Sequence, residues 1–123
     1  MYDSPYFSPK EFRCRCGRES CEGSHEKMDS KFLDMLFRLR AQVDMPFNIS
    51  SAYRCKAHNK SVGGARFSNH VKGRAVDILC SDPTQRFELV EMATNFGFTV
   101  IVYSSFIHLD NRNGDPKLMR GDY

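Results

Sequence analysis

The segment RAVDILC, residues 74–80, sets the strongest constraint on what this chain can become. Successive side chains of an extended strand point to opposite faces, so Ala75, Asp77 and Leu79 share one face while Val76 and Ile78 share the other. FIHLD, residues 106–110, repeats the arrangement: Ile107 and Leu109 face one way, Phe106, His108 and Asp110 the other. Strands built this way need apolar cover on one face only. Two segments are predicted to supply it as helices. After Asp29, a good N-cap, SKFLDMLFRLRAQV places Phe32, Leu36, Leu39 and Val43 on one stripe with charges opposite. SDPTQRFELVEMATNFG offers Ser81 or Asp82 as cap and Pro83 in the first turn. It then spaces Phe87, Val90 and Ala93 helically and stops at Gly97.

The remaining segments fit around this frame. SPKEF at 8–12 is a capping box opening a short helix, and the polar stretch 13–29 is a loop holding three cysteines. PFNISSAY, 46–53, reads as a strand. Residues 54–73 form a long glycine-punctuated connection with one helical turn, a length usually tied to function. FTVIVY, a tight Ser-Ser turn and FIHLD form a hairpin, followed by a polar tail from Asn111. The expected fold is α+β, a small mainly antiparallel sheet packed with two main helices, in one domain spanning residues 1–123.

Composition removes several classes. With 41% apolar and 27% charged residues the chain is an ordinary globular sequence. Its longest apolar runs, 98–103 and 75–79, are strand-sized and far short of the ~20 residues that span a bilayer. No basic start followed by an apolar run marks a secretory signal, so a cytoplasmic origin is expected; the chain is also expected to be a monomer. A net charge of +3 is too small for a nucleic-acid stripe but suits an acidic substrate. Five cysteines cannot all pair, which favours thiols or metal ligation.

SNHVKGRAVDI, 68–78, holds the candidate chemistry. His70 lies on a loop and Asp77 on the following strand; Gly73 allows a sharp turn between them, and Ala75 is expected to keep space open beside Asp77. Catalytic zinc sites commonly use three protein ligands and keep one position for water. His108, alternating with core aliphatics, is the candidate third ligand. Taken singly, each residue also reads as a surface histidine or an edge-strand charge.

The pattern S-x-H-x-x-G-x-A-x-D in SNHVKGRAVD, with SAYR upstream and FIHLD downstream, resembles the zinc peptidases of bacterial cell walls. These are the D-alanyl-D-alanine carboxypeptidases and L-alanyl-D-glutamate endopeptidases, whose metal-site fold is shared with lysostaphin-type enzymes and the hedgehog signalling domain. Segments 7–12 and 53–64 are similar to the small subgroup common in phages and bacteria. The resemblance implies zinc ligation by His70, Asp77 and His108, and hydrolysis of a peptide bond in peptidoglycan stem peptides. It supports Arg54 as the group that meets a substrate oxyanion or carboxylate; a structural salt bridge is the other reading. Ser68 is a candidate to orient the ligands, or a loop serine facing water. Arg66 and Lys72 either recognise substrate carboxylates or are solvated loop charges.

One departure matters. Several relatives carry an acid three residues before the last histidine, or a histidine two before it, where this chain has Ser105 and Phe106. Asp110 is the remaining candidate for catalytic support, facing the metal water or holding His108 in one tautomer. The rivals to an endopeptidase are a D-alanyl-D-alanine carboxypeptidase and a zinc-containing wall-binding or structural module without catalysis. The expected setting is the cell wall or periplasm, reached after release through a partner pore or as a virion-associated component.

Cys14, Cys16 and Cys21, with His25 behind them, offer donors for a second, structural zinc, against packed thiols or a disulfide. Cys55 and Cys80 are expected to pack as small buried groups. The sequon NIS at 48–50, RGD at 120–122 and VGG at 62–64 bear no functional weight in this context.

Overall fold

A computed structural model describes residues 4–121. In chain order it contains helix α1 (Ser30–Gln42), strand β1 (Asn48–Ser51), helix α2 (Lys56–Ser61), strand β2 (Ala75–Leu79) and helix α3 (Pro83–Asn95). Strands β3 (Thr99–Val102), β4 (Phe106–Asp110) and β5 (Leu118–Arg120) follow. Three short 3-10 turns, Pro9–Phe12, Glu19–Cys21 and Ser24–Lys27, precede α1. The strands form one sheet in the order β1-β2-β4-β3-β5, antiparallel throughout except where β5 runs parallel to β3. The architecture is α+β.

Local chemistry sets the helix starts. Asp29 Oδ2 accepts a hydrogen bond from Phe32 N at 2.9 Å, and Asp82 Oδ2 accepts one from Gln85 N at the same distance, each satisfying an otherwise orphaned donor. Near the amino terminus, Ser8 N donates to Glu11 Oε2 at 2.7 Å. That turn stops after Phe12 because Arg13 is already extended.

One face of the sheet meets the helices. Phe32, Leu36, Leu39 and Val43 of the α1 stripe are all buried, and they share a core with Val76, Ile78, Val100, Ile107 and Leu109. Each such side chain contributes roughly 1.5–3 kcal/mol by leaving water. Phe32 meets Phe98 edge-on at 5.8 Å between ring centroids. At the amino-terminal end, Phe7 stacks on Phe37 at 5.5 Å and meets Phe12 edge-on at 5.4 Å.

Two expectations are corrected. Phe87 is 68% exposed, and the inward line of α3 is Leu89 and Ala93. These two are four residues apart on one face, whereas Phe87 precedes Leu89 by two positions, about 200° around the helix. The polar tail also contributes structure. Val100 N donates to Lys117 O at 2.7 Å and Gly121 N to Val102 O at 2.8 Å, so β5 covers the open backbone edge of β3. The last two residues of that tail, including the final position of RGD, lie outside the described residues.

Candidate metal centre

The register of β2 and β4 sets Asp77 directly opposite His108, with Ile78 opposite Ile107 one step along. Because the pleat alternates, the two aliphatics enter the core while Asp77 and His108 project from the other face. His70 reaches them from the loop before β2. Its carbonyl accepts from Arg54 N at 3.1 Å and Gly73 N at 3.2 Å, and its own N–H donates to Ser68 Oγ at 3.1 Å. Ser68 therefore holds the main chain of His70, not its ring. Gly73 is needed twice over: its φ is +71°, and a Cβ there would stand 2.2 Å from Lys27 O.

The donor atoms of His70, Asp77 and His108 all lie within 4.8 Å of one another, and all three residues are buried. His70 Nδ1 is 2.7 Å from Ala52 O, which can only accept, so Nδ1 carries the hydrogen and Nε2 is turned toward Asp77 Oδ1, 3.2 Å away. His108 is oriented the other way: Nδ1 is 2.9 Å from Asp77 Oδ1, and Nε2–H donates to Asp110 Oδ2 at 2.7 Å. Each ring thus anchors one nitrogen in the protein and turns the other to a common point, an arrangement typical of metal-binding imidazoles.

Asp110 is fully buried and does not border the cavity. Besides His108 it accepts from Arg112 Nη2 at 2.6 Å, Arg112 Nε at 2.9 Å and Arg112 N at 3.0 Å. Of its two candidate positions, facing the metal water or gripping His108, the geometry has the second. Burial alone raises the Asp110 carboxyl, but the hydrogen bonds from Arg112 and His108 outweigh it and hold the group well below the usual carboxylate range. The same contest, burial against hydrogen bonds from His108 and His70, leaves Asp77 depressed. Burial pushes the His108 imidazolium down, yet the hydrogen bonds to Asp110 and Asp77 raise it on balance.

Arg54, 7% exposed, borders the same point. Its Nη2 is 3.8 Å from Asp77 Oδ2, its Nε donates to Ser51 Oγ at 3.2 Å and its Nη1 to Asn59 Oδ1 at 2.9 Å. Asn59 is buried on α2 and also donates to Ala65 O at 2.9 Å. A Cβ on Gly64 would lie 2.0 Å from Asn59 Oδ1 and 2.6 Å from Arg54 Nη1. Asn59 and Gly64 thus form the clasp that aims Arg54, a role sequence reasoning missed. The signal available was the run HNKSVGG just after Arg54.

A cavity of about 120 Å³ opens over the three donors, walled also by Arg54, Ser68, Ile101, Tyr103 and Phe106. Ala75 does not border it; Ala75 is buried and pairs across the ladder with Asp110. Gly64 and Ser68 border both this cavity and a wider groove of about 690 Å³. Arg66 and Lys72 line that groove together with Lys56, Lys60 and the exposed ring of Phe67.

The cysteines are arranged differently from expectation. Cys14, Cys16 and Cys21 are joined by Cys55, and His25 is not a member of the group. Cys55 is therefore not simply a small packed residue, whereas Cys80 is buried apart from the cluster. No helix among the described residues is long and apolar enough to cross a membrane.

No curated protein matches the chain. The sequence model of one family, described as Peptidase M15, matches residues 5–110, a span that takes in all three converging donors, Arg54 with its clasp, and Asp110. The chain belongs to the peptidase M15 family.

Proposed function

We propose that the protein is a zinc-dependent hydrolase that cuts a peptide bond within peptidoglycan stem peptides. M15 peptidases are zinc enzymes, and the observation that carries the reading here is the convergence of His70, Asp77 and His108 beneath an open cavity. Two neutral imidazoles and one carboxylate fit a divalent cation and leave it a net positive charge. When bound, such a cation supplies Lewis-acid polarisation of a carbonyl and acidifies water.

The chain's own residues supply the positioning. Asp110 holds His108 Nε2–H and so keeps Nδ1 directed at the centre. Arg54, held by Asn59 and Ser51, presents a fixed fork at the cavity wall, suited to a carbonyl oxyanion or a substrate carboxylate. Lys56, Lys60, Arg66 and Lys72 make the adjoining groove cationic, a match for an acidic peptide. Such a substrate places the reaction at the cell wall, reached after release through a pore or on a virion.

A second reading, a zinc-containing wall-binding module, is favoured by one observation: among the described residues, the only carboxylate on the cavity wall is that of Asp77. Incubating the purified zinc protein with peptidoglycan and identifying the soluble fragments by mass spectrometry separates the readings. Internal stem-peptide fragments are expected. Release of terminal D-alanine alone would make it a carboxypeptidase, and no release with any divalent metal would leave a binding module. Undiminished zinc content at this centre in His108→Ala would remove that residue from the ligand set.

A further inference from the structure

The four cysteines lie outside the peptidase centre and take no part in it. Their sulfurs all lie within 4.8 Å of one another, although Cys55 is separated from Cys21 by a long stretch of chain. A tetrahedron with metal–sulfur arms of about 2.3 Å has edges of about 3.8 Å, so four sulfurs within 4.8 Å of one another are close enough to share one ion. Three of the sulfurs also receive backbone N–H groups. Cys55 N donates to Cys14 Sγ at 3.3 Å, Arg18 N to Cys16 Sγ at 3.4 Å and His58 N to Cys55 Sγ at 3.4 Å. Donors of this kind stabilise sulfur as thiolate. Gly17, at φ +78°, makes the turn after Cys16 that brings Arg18 N back to it. Four thiolates around a divalent ion have a net charge of −2, and Arg13, Arg15 and Arg18 line the cleft beside Cys14 and Cys21.

We infer that Cys14, Cys16, Cys21 and Cys55 form a second metal centre, a closed four-thiolate zinc site that staples the amino-terminal segment to the start of α2. Binding exchanges one Zn2+ for the protons of the four thiols, with no change of oxidation state. All four positions are taken by sulfur, so none remains for water and the site is structural. Its position gives it a further effect. Cys55 follows Arg54 directly and caps α2, the helix that presents Asn59 to Arg54.

Metal analysis of extensively dialysed protein tests this. Wild type is expected to hold two zinc ions per chain, and Cys21→Ser, Cys55→Ser and His108→Ala one each. Cobalt substitution identifies which centre remains: sulfur-to-cobalt charge-transfer absorption should persist in His108→Ala and vanish in Cys55→Ser. Because that absorption arises only from thiolates, it stands or falls independently of the hydrolase reading. Should the cysteine variants fail to fold, native wild type gives the answer by alkylation, with the four thiols protected from iodoacetamide until a chelator is added. Unchanged metal content in both cysteine variants, cobalt protein lacking the charge-transfer band, or alkylation equally fast with and without chelator would overturn the proposal.

Discussion

Asp110 gives up all contact with water to hold one hydrogen of His108, and its second partner, Arg112, keeps it ionised. Asp110→Asn is expected to weaken zinc binding or activity about 10–100-fold, the usual effect of losing a ligand's hydrogen-bond partner; a competition titration with a zinc chromophore checks it. Acid stability is linked to the same group. A carboxyl whose folded pKa is depressed contributes stability that is fully present above its unfolded value, ordinarily 3.8, and is lost as pH falls through the folded one. Chelator-treated wild type should therefore lose Tm steeply below about pH 4, and Asp110→Asn should show a shallower acid limb by differential scanning calorimetry. Gly64→Ala places a Cβ against Asn59 and Arg54. Overpacking of this kind costs about 1–3 kcal/mol, and kcat/KM on peptidoglycan fragments should fall while zinc content stays unchanged. His70 and Asp77 were legible in the sequence because both lie in one short stretch. The clasp on Arg54 was not, because it depends on where α2 points after Cys55.

Turns and their neighbours decide how the elements seat. Gly73 and Gly97 both adopt positive φ, but only Gly73 meets main chain, at Lys27 and Met28, where a Cβ would sit. Gly97→Ala should cost the left-handed penalty of about 1–2 kcal/mol. Gly73→Ala should cost at least twice as much, because the segment before α1 must move; urea midpoints at constant m-value measure the difference. Helix α1 was legible because its apolar stripe and its Asp29 cap agree. In α3 the apolar residues are spread around more than one stripe, so spacing alone put Phe87 inward where Leu89 belongs. Strand β5 is three residues long and polar at its end, and backbone pairing, which leaves no side-chain pattern, creates it. Cys55 was assigned to packing for a related reason: spacing rules see ligands close in sequence, and this one is brought to the other three cysteines by the fold.

The molecule as a whole sets a buried, charge-compensated centre beside an open cationic groove. Going from 0.01 M to 0.15 M salt shortens the screening length from about 30 Å to about 8 Å. KM for an acidic stem peptide should then rise several-fold with kcat nearly constant, and Lys60→Glu combined with Lys72→Glu should raise KM at low salt and flatten its salt dependence in steady-state assays. The α+β class was legible because β2 and β4 each divide aliphatic from ionisable positions; the groove was not, because solvated loop charges look alike until the loop has a shape. The main-chain hydrogen bond from Arg54 N to His70 O closes the intervening residues into a ring anchored on the sheet. Enlarging such a ring is entropically cheap, each doubling costing only about 0.6 kcal/mol. The ring's outer residues are thus an exchangeable cassette: evolution or an engineer can rewrite what the protein grips there while the donors beneath keep their places.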